Sequence, residues 1–356
     1  MHFPFCESKC NYCDFYSACF PADQQRAYVA ALCEQLAAWG LRVALPADTL
    51  YLGGGTPTVL PAGALTQVIG AAVRFFGPFR EITVEANPGD RVADTFMQLR
   101  QSGVNRISLG VQSAVLEELE RLGRRHTSAQ VARCVKDLRA AGIENLSLDI
   151  MLGIPGQTAE SLRYTTEFCL ALEPQHISAY MLKIEPGTPF GRIPPPGLPD
   201  EDQTAALYLQ LCSDLHAAGF RHYEISNFCR PGFESRHNLK YWTLAPYLGL
   251  GPGAHSFIDG GRFYFPRDLE AFLTDPQPVP DGAGADAAEY VMLRLRLDEG
   301  LDYKQFRQRY GVDFYAAHRP LIERLQKNDL AHRDAARLRL TERGFLLSNA
   351  ILTELL

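Results

Sequence analysis

Two hydrophobic periods alternate along this chain. Between Thr49 and about Ile184, five short runs rich in aliphatic and β-branched residues are separated by longer segments. In those segments the apolar positions recur every three to four residues. The short runs are TLYLGGG (Thr49–Gly55), EITVEANP (Glu81–Pro88), RISLGVQ (Arg106–Gln112), NLSLDIML (Asn145–Leu152) and HISAYMLKI (His176–Ile184). The segments LTQVIGAAVRFF, ADTFMQLRQSG, TSAQVARCVKDLRAAG and ESLRYTTEFCLAL read as helices, several of them stopping at glycine. Strand–helix alternation predicts a parallel sheet with crossover helices. A strand stub ahead of Cys6 brings the tally to six βα units. The expected fold class is therefore α/β, a partial (β/α)6 TIM-like barrel. The alternative, an open doubly wound sheet, would be expected to carry a G-x-G-x-x-G turn after its first strand, and the chain has none there.

Polar and glycine residues gather where the predicted strands end, at Gly53–Thr56, Glu85–Asn87, Gln112 and Asp149. Parallel α/β proteins build their sites on that edge. The core is expected over 1–200, with a stiff loop at 186–199 that holds six prolines. Residues 201–275 continue it with a helix near Asp202–Gly219, a strand-like YEISNFC, HNLKYW and the glycine-rich YLGLGPGAHSF. The stretch TDPQPVPDGAGADAA reads as an interdomain linker. Beyond it, 287–356 reads as helices around a short RLRLT strand, a winged-helix-like α+β domain. Winged helices often bind DNA, but here 12 Lys/Arg face 10 Asp/Glu, so no nucleic-acid partner is expected.

Composition narrows little beyond this. A formal net charge of −6 and 21% charged residues ask for neither nucleic acid nor a membrane surface. No apolar run reaches the length of a membrane span, and the charged start is no signal peptide. The nine cysteines are more informative. Cys33, Cys134, Cys169 and Cys212 fall inside helical patterns, where single cysteines behave as small hydrophobes. Clustered Cys6, Cys10 and Cys13 beside scattered single ones indicate a metal site in a reducing compartment, so the expected location is the cytoplasm.

Cys6, Cys10 and Cys13 are spaced C-x3-C-x2-C. Three thiolates hold three corners of a four-iron cluster and leave the fourth iron open to a small ligand. A zinc set is the alternative reading, with Cys19 or His2 as its fourth ligand.

Together with the strand-end residues, the trio resembles the radical S-adenosylmethionine (SAM) superfamily. That resemblance implies a 4Fe–4S cluster on Cys6, Cys10 and Cys13, with the methionine amine and carboxylate of SAM on the fourth iron. Reductive cleavage of SAM to a 5′-deoxyadenosyl radical is the family's chemistry, and Tyr12 supplies its aromatic residue before the third cysteine. By the same resemblance Gly55 and Thr56, in the bare GGGTP turn, would approach the SAM amine. Glu85 would accept its hydrogen bonds, while Gln112 and Arg124 would meet its carboxylate or ribose. Asp149, among apolar neighbours, needs a partner if buried, and a ribose hydroxyl pair would serve.

HFPFC, YLGGGTPT, VEANPG, GVQS, LGRRH, LDIMLGIPGQT and HNLKYW narrow the resemblance to the group containing oxygen-independent coproporphyrinogen III dehydrogenases and the heme chaperones derived from them. The dehydrogenases carry a fourth cysteine two positions after the third, where this chain has Phe15. The chaperones carry HNxxYW, present here as His237–Trp242. Both features indicate the chaperone branch. It implies heme as a further cofactor and heme-acceptor proteins, membrane-associated ones included, as partners. His237 is the candidate heme ligand, with Tyr241 and Trp242 as flat apolar surface for a macrocycle and His255 as a second candidate. The rival within the group is propionate decarboxylation of coproporphyrinogen III, and outside it a zinc-stabilised α/β protein. The family's tyrosine six residues before the first cysteine would fall ahead of Met1, so a short first strand is expected.

Overall fold

The computed structural model describes residues 1–43, 46–89 and 93–356. An eight-stranded sheet forms its centre. The strands are β1 (His2–Phe3), β2 (Thr49–Gly54), β3 (Glu81–Ala86), β4 (Arg106–Gln112), β5 (Asn145–Leu152), β6 (His176–Met181), β7 (Arg221–Glu224) and β8 (Asn227–Cys229). The first six pair side by side in chain order, all parallel. Helices over Ala22–Arg42, Ala62–Phe76, Ala93–Gln101, Ser128–Ala140 and Ala159–Ala171 make the crossovers. This is the expected partial barrel.

The strands were legible because they are covered on both faces, so their sequences run almost continuously apolar. All seven residues of β4 are buried. Local chemistry starts the crossover helices cleanly. Thr127 and Thr158 each build a capping box with the residue three positions on, Gln130 and Ser161. Cys134, Cys169 and Cys212 are all buried on helices.

Four expectations change. The strand-like YEISNFC is a hairpin, β7 and β8, and β8 runs antiparallel to β6, so the sheet is not wholly parallel. The run His176–Ile184 stops at Met181, with the last two side chains exposed. Within the proline loop, Thr188 caps a single helical turn, Pro189–Arg192, that buries Phe190 against Leu122, Met151 and Ile154. The expected linker is partly a strand. β9 (His255–Ile258), β10 (Gly261–Tyr264) and β11 (Val279–Ala283) form an antiparallel sheet. All five residues of β11 are exposed, so it is held mainly by backbone pairing, and no apolar pattern announces it.

Near the C-terminus, helices Tyr303–Tyr310 and Phe314–Lys327 pack beside a second antiparallel sheet. It consists of β12 (Leu301–Asp302), β13 (Ala331–Arg333) and β14 (Arg337–Leu340), two strands more than the RLRLT run alone suggests.

Candidate functional site

The carboxyl ends of β2 to β6 open onto one cavity of about 500 Å³. Cys6, Cys10 and Cys13 stand at its side, and Gly55, Thr56, Glu85, Gln112, Arg124 and Asp149 all line it. Every cluster and SAM candidate read from the sequence thus shares one space.

The short first strand brings the cysteine loop there. β1 pairs with Gly53 and Gly54, and Gly55 and Thr56 then donate to the carbonyls of Phe3 and Phe5 at 2.8 and 2.7 Å. On the other side of β1, His2 donates from its backbone to Leu250 in the glycine-rich loop at 2.8 Å. The GGG turn has a reason beyond any ligand. A Cβ on Gly55 would lie 2.4 Å from the Phe5 carbonyl oxygen, and Gly54 has φ +110° with the His2 ring against it.

The donor atoms of Cys6, Cys10 and Cys13 do not gather within 4.8 Å of one another. One tetrahedral zinc, with bonds of about 2.3 Å to sulfur, needs its thiolates roughly 4 Å apart. The wider spread suits a polynuclear cluster. The proposed fourth zinc ligands are engaged elsewhere: His2 Nε2 lies 2.8 Å from the Tyr16 carbonyl, and Cys19 donates to the Glu7 carbonyl at 2.9 Å. Burial pushes the Cys13 thiol above its ordinary value. All nine cysteines are free.

A polar chain ties the cluster loop to the strand ends. Cys6 Sγ lies 3.7 Å from Thr56 Oγ1, which accepts from Asn87 Nδ2 at 2.7 Å. Asn87 Oδ1 accepts from Arg124 Nη1 at 2.6 Å, and Arg124 Nη2 donates to the Tyr12 hydroxyl at 2.6 Å. Burial pushes that phenol up to about 12, so it remains a neutral partner. Gln112 reaches the cavity through a bulge after Gly110 and holds φ +64°, an uncommon conformation for a side-chain-bearing residue.

Two carboxylates face the same space. Glu85 accepts from the Tyr51 hydroxyl at 2.7 Å and the Gly54 N–H at 3.0 Å. Asp149 accepts from Ser108 at 2.9 Å and from Ser147 at 3.1 Å. Desolvation raises both above the usual carboxylate range, opposed in each case by these hydrogen bonds. Asp149 therefore has protein partners where a ribose was expected. Arg106 is 2% exposed and lines the cavity with its Nε unpaired. A buried guanidinium with a spare donor fits an anionic ligand group. The cradle and donor set fit a cluster carrying a small zwitterion.

Sequence reasoning missed Arg106 and Tyr51 as site residues, and placed Asn87 on the strand-end edge without giving it a role. The signal for Arg106 was a cation opening an otherwise apolar strand. Tyr51 sits within a strand run whose pattern carries no such mark.

Behind Tyr51 lies the HNxxYW block, a seven-residue helix over Arg236–Trp242 capped by Ser235. Its first N–H groups, of Arg236 and His237, donate to the buried Glu81 at 3.1 and 3.0 Å. His237 stacks on Tyr51, with centroids 5.1 Å apart. Its Nδ1 lies 2.9 Å from Thr49 Oγ1 and its Nε2 2.9 Å from the Tyr241 hydroxyl. Burial lowers the imidazole to about 3. His237, Thr49, Tyr51, Asp48 and Lys240 line a second cavity of about 310 Å³, otherwise mostly apolar. Trp242 lies under the Arg296 guanidinium. His255 stands elsewhere, stacked on Tyr264 and 3.8 Å from Asp281.

The model of the radical SAM superfamily matches residues 1–169, and that of the HemN C-terminal domain matches residues 285–347. The chain is 34% identical to the heme chaperone HemW of Bacillus subtilis over 99% of its length and 97% of the relative's. The chain belongs to the heme chaperone HemW family. The HemW of Escherichia coli is 40% identical over 73% of this chain and 70% of that one. Among solved structures, the coproporphyrinogen III oxidase HemN of Escherichia coli, a radical SAM enzyme, superposes with a TM-score of 0.84. It covers 99% of this chain and 88% of that one at 22% identity, a likeness of fold. Membership of the HemW family agrees with Phe15 at the branch position and with the HNxxYW helix. No helix among the described residues is long and apolar enough to cross a membrane.

Proposed function

We propose that this protein is a heme chaperone that holds a 4Fe–4S cluster on Cys6, Cys10 and Cys13, SAM in the strand-end cavity, and heme beside the HNxxYW helix. One observation carries the reading. Tyr51 joins the two cavities, its hydroxyl on Glu85 of the first and its ring on His237 of the second. A bound cluster with SAM supplies redox chemistry at the first cavity. Around it Arg124, Gln112 and Arg106 would meet the carboxylate or ribose of SAM, and Glu85 beside Gly54 and Gly55 would receive its amine. His237 serves as the heme ligand. Its lowered proton affinity keeps the imidazole neutral, the form that ligates iron. Tyr241 must release Nε2 for that to happen. Lys240, paired with Asp48 at 2.6 Å, offers a cation on the same cavity for an acidic substituent. Acceptor proteins, membrane-associated ones included, receive the heme, and the setting is cytoplasmic.

Anaerobic heme titration of the reconstituted protein tests this. A stoichiometric Soret shift is expected, altered or weakened in His237→Ala. An unchanged spectrum in that variant removes His237 as ligand. Incubation with coproporphyrinogen III, SAM and a reductant is expected to release no carbon dioxide; turnover would replace the chaperone reading by the dehydrogenase one.

A further inference from the structure

The Cys212 thiol, which the barrel reading leaves as a small hydrophobe, has unusual company. Helix Glu201–Ala217 carries Cys212 and His216 one turn apart on one face. β7 supplies His222, and Glu342 opens the helix Glu342–Leu346 that follows β14. Donor atoms of Cys212, His222 and Glu342 all lie within 4.8 Å of one another, the only such group among the described residues. His216 Nε2 is 3.4 Å from Glu342 Oε1 at the outer side.

The second observation concerns His222. Its side chain is 4% exposed, stacked on Phe228 at 4.0 Å and edged by Phe345. Neither ring nitrogen has a hydrogen-bond partner, and Nδ1 stops 3.6 Å short of Glu342 Oε1, which makes no hydrogen bond and has only this and the His216 ion-pair contact. The Tyr208 hydroxyl beside them is a fourth orphan. Buried polar atoms left unpaired destabilise a fold, and a group of them around one point indicates an occupant. Thiol, imidazole and carboxylate together are the donor set of a borderline-soft divalent ion.

We propose that Cys212, His222 and Glu342 form a second metal site that takes one tetrahedral divalent ion of the zinc class, with His216 as the fourth donor. The ion staples the C-terminal domain, through Glu342, to the last helix and hairpin of the barrel. Metal binding displaces the Cys212 proton to solvent and gives a partner to one nitrogen of His222 and to the Glu342 oxygen at once. The contrast with the N-terminal trio is one of spacing: tight for a single ion here, wide for a cluster there.

The test uses the full-length chain with Cys6→Ala, Cys10→Ala and Cys13→Ala, so that the cluster ligands cannot take metal. Zn²⁺ is titrated against a chromophoric chelator, and Co²⁺ is added separately for its spectrum. One equivalent of zinc is expected, with a tetrahedral cobalt spectrum showing a thiolate-to-cobalt charge-transfer band. Adding Cys212→Ala should abolish that band, which excludes the exposed Cys19 as its source. Adding Glu342→Gln, at a site less buried than the rest, should weaken zinc at least tenfold and remove the rise in Tm that zinc confers. Glu342→Gln keeps the test decisive if Cys212→Ala fails to fold. Absence of stoichiometric binding, a cobalt spectrum lacking a thiolate band, or affinity unchanged in Glu342→Gln would overturn the proposal.

Discussion

The cysteine loop and the HNxxYW helix lie on either side of Tyr51, yet they are built on opposite plans. In the loop, Cys6, Cys10 and Cys13 are half-buried and in no disulfide, with Cys6 touching only the Thr56 hydroxyl. The polar groups around them reach across from neighbouring strand ends. In the helix, the chemistry is closed on itself. Both nitrogens of His237 have partners, its ring is stacked, and the helix start is tied to Glu81. A ligand can enter the first region by occupying free valences. It enters the second only by displacing a protein partner, and Tyr241 is the partner nearest the surface, 38% exposed. Loading of the first site therefore depends on ligand supply, and loading of the second on a local rearrangement.

The strongest way to break this comparison is to remove the thiols. Replacing Cys6, Cys10 and Cys13 together by alanine should abolish iron–sulfur absorption after anaerobic reconstitution. Far-UV circular dichroism should stay unchanged, because the loop is held by backbone bonds of β1, Thr56 and Ala18 rather than by the sulfurs. Heme binding should persist in this variant if the two regions load independently. Loss of both together would show that the sites are one cooperative unit.

A smaller effect is expected at Arg124, the link between Asn87 and Tyr12. Arg124→Ala should weaken SAM by about tenfold to a hundredfold, at about 1.4 kcal/mol per decade, measured by calorimetry on the cluster-loaded protein. It should also lower stability by about 1–3 kcal/mol, since Asn87 Oδ1 and the Tyr12 hydroxyl lose their donor. Arg124→Lys should recover part of the affinity, because a point charge replaces the fork that reaches both partners. Equal SAM affinity in wild type and Arg124→Ala would place the SAM carboxylate elsewhere, with Arg106 the next buried cation in the cavity.

How much of this was readable in the chain depended on whether a residue's reason for being there was local. β4 and β5 follow from their own apolar runs, and the cysteine spacing is local by construction. Two of the three serines around Asp149 are not. Register puts Ser108 opposite Ser147 on adjacent strands, and Asp149 opposite Ser178, so a serine cage forms in which only Ser147 is a chain neighbour of Asp149. Taken alone, each is one polar residue in a strand. His237 shows the same limit: its Nδ1 partner, Thr49, lies 188 positions away. The sequence pattern identifies His237 as chemically capable and cannot reveal that it is already engaged. β11 escaped for the opposite reason, having no buried side chain to betray it.

The mildest test sharpens the comparison through pH. His237 has a folded-state value lowered by burial to about 3, against 6.5 for the free side chain. Below 6.5 the unfolded chain takes up a proton at this residue that the native state refuses until about 3. The stability contributed by holding the ring neutral is thus complete above 6.5 and is lost progressively as pH falls toward 3. Urea unfolding between pH 7 and 4 should show a falling midpoint, to which His2 and His126, each lowered to about 4, also contribute. His237→Gln, which keeps an amide in place of the ring but cannot titrate, should flatten that slope while leaving those two contributions intact. An unchanged slope in His237→Gln would mean that the ring is already open to protons in solution, and the contrast between an open loop and a closed helix would fail at its closed end.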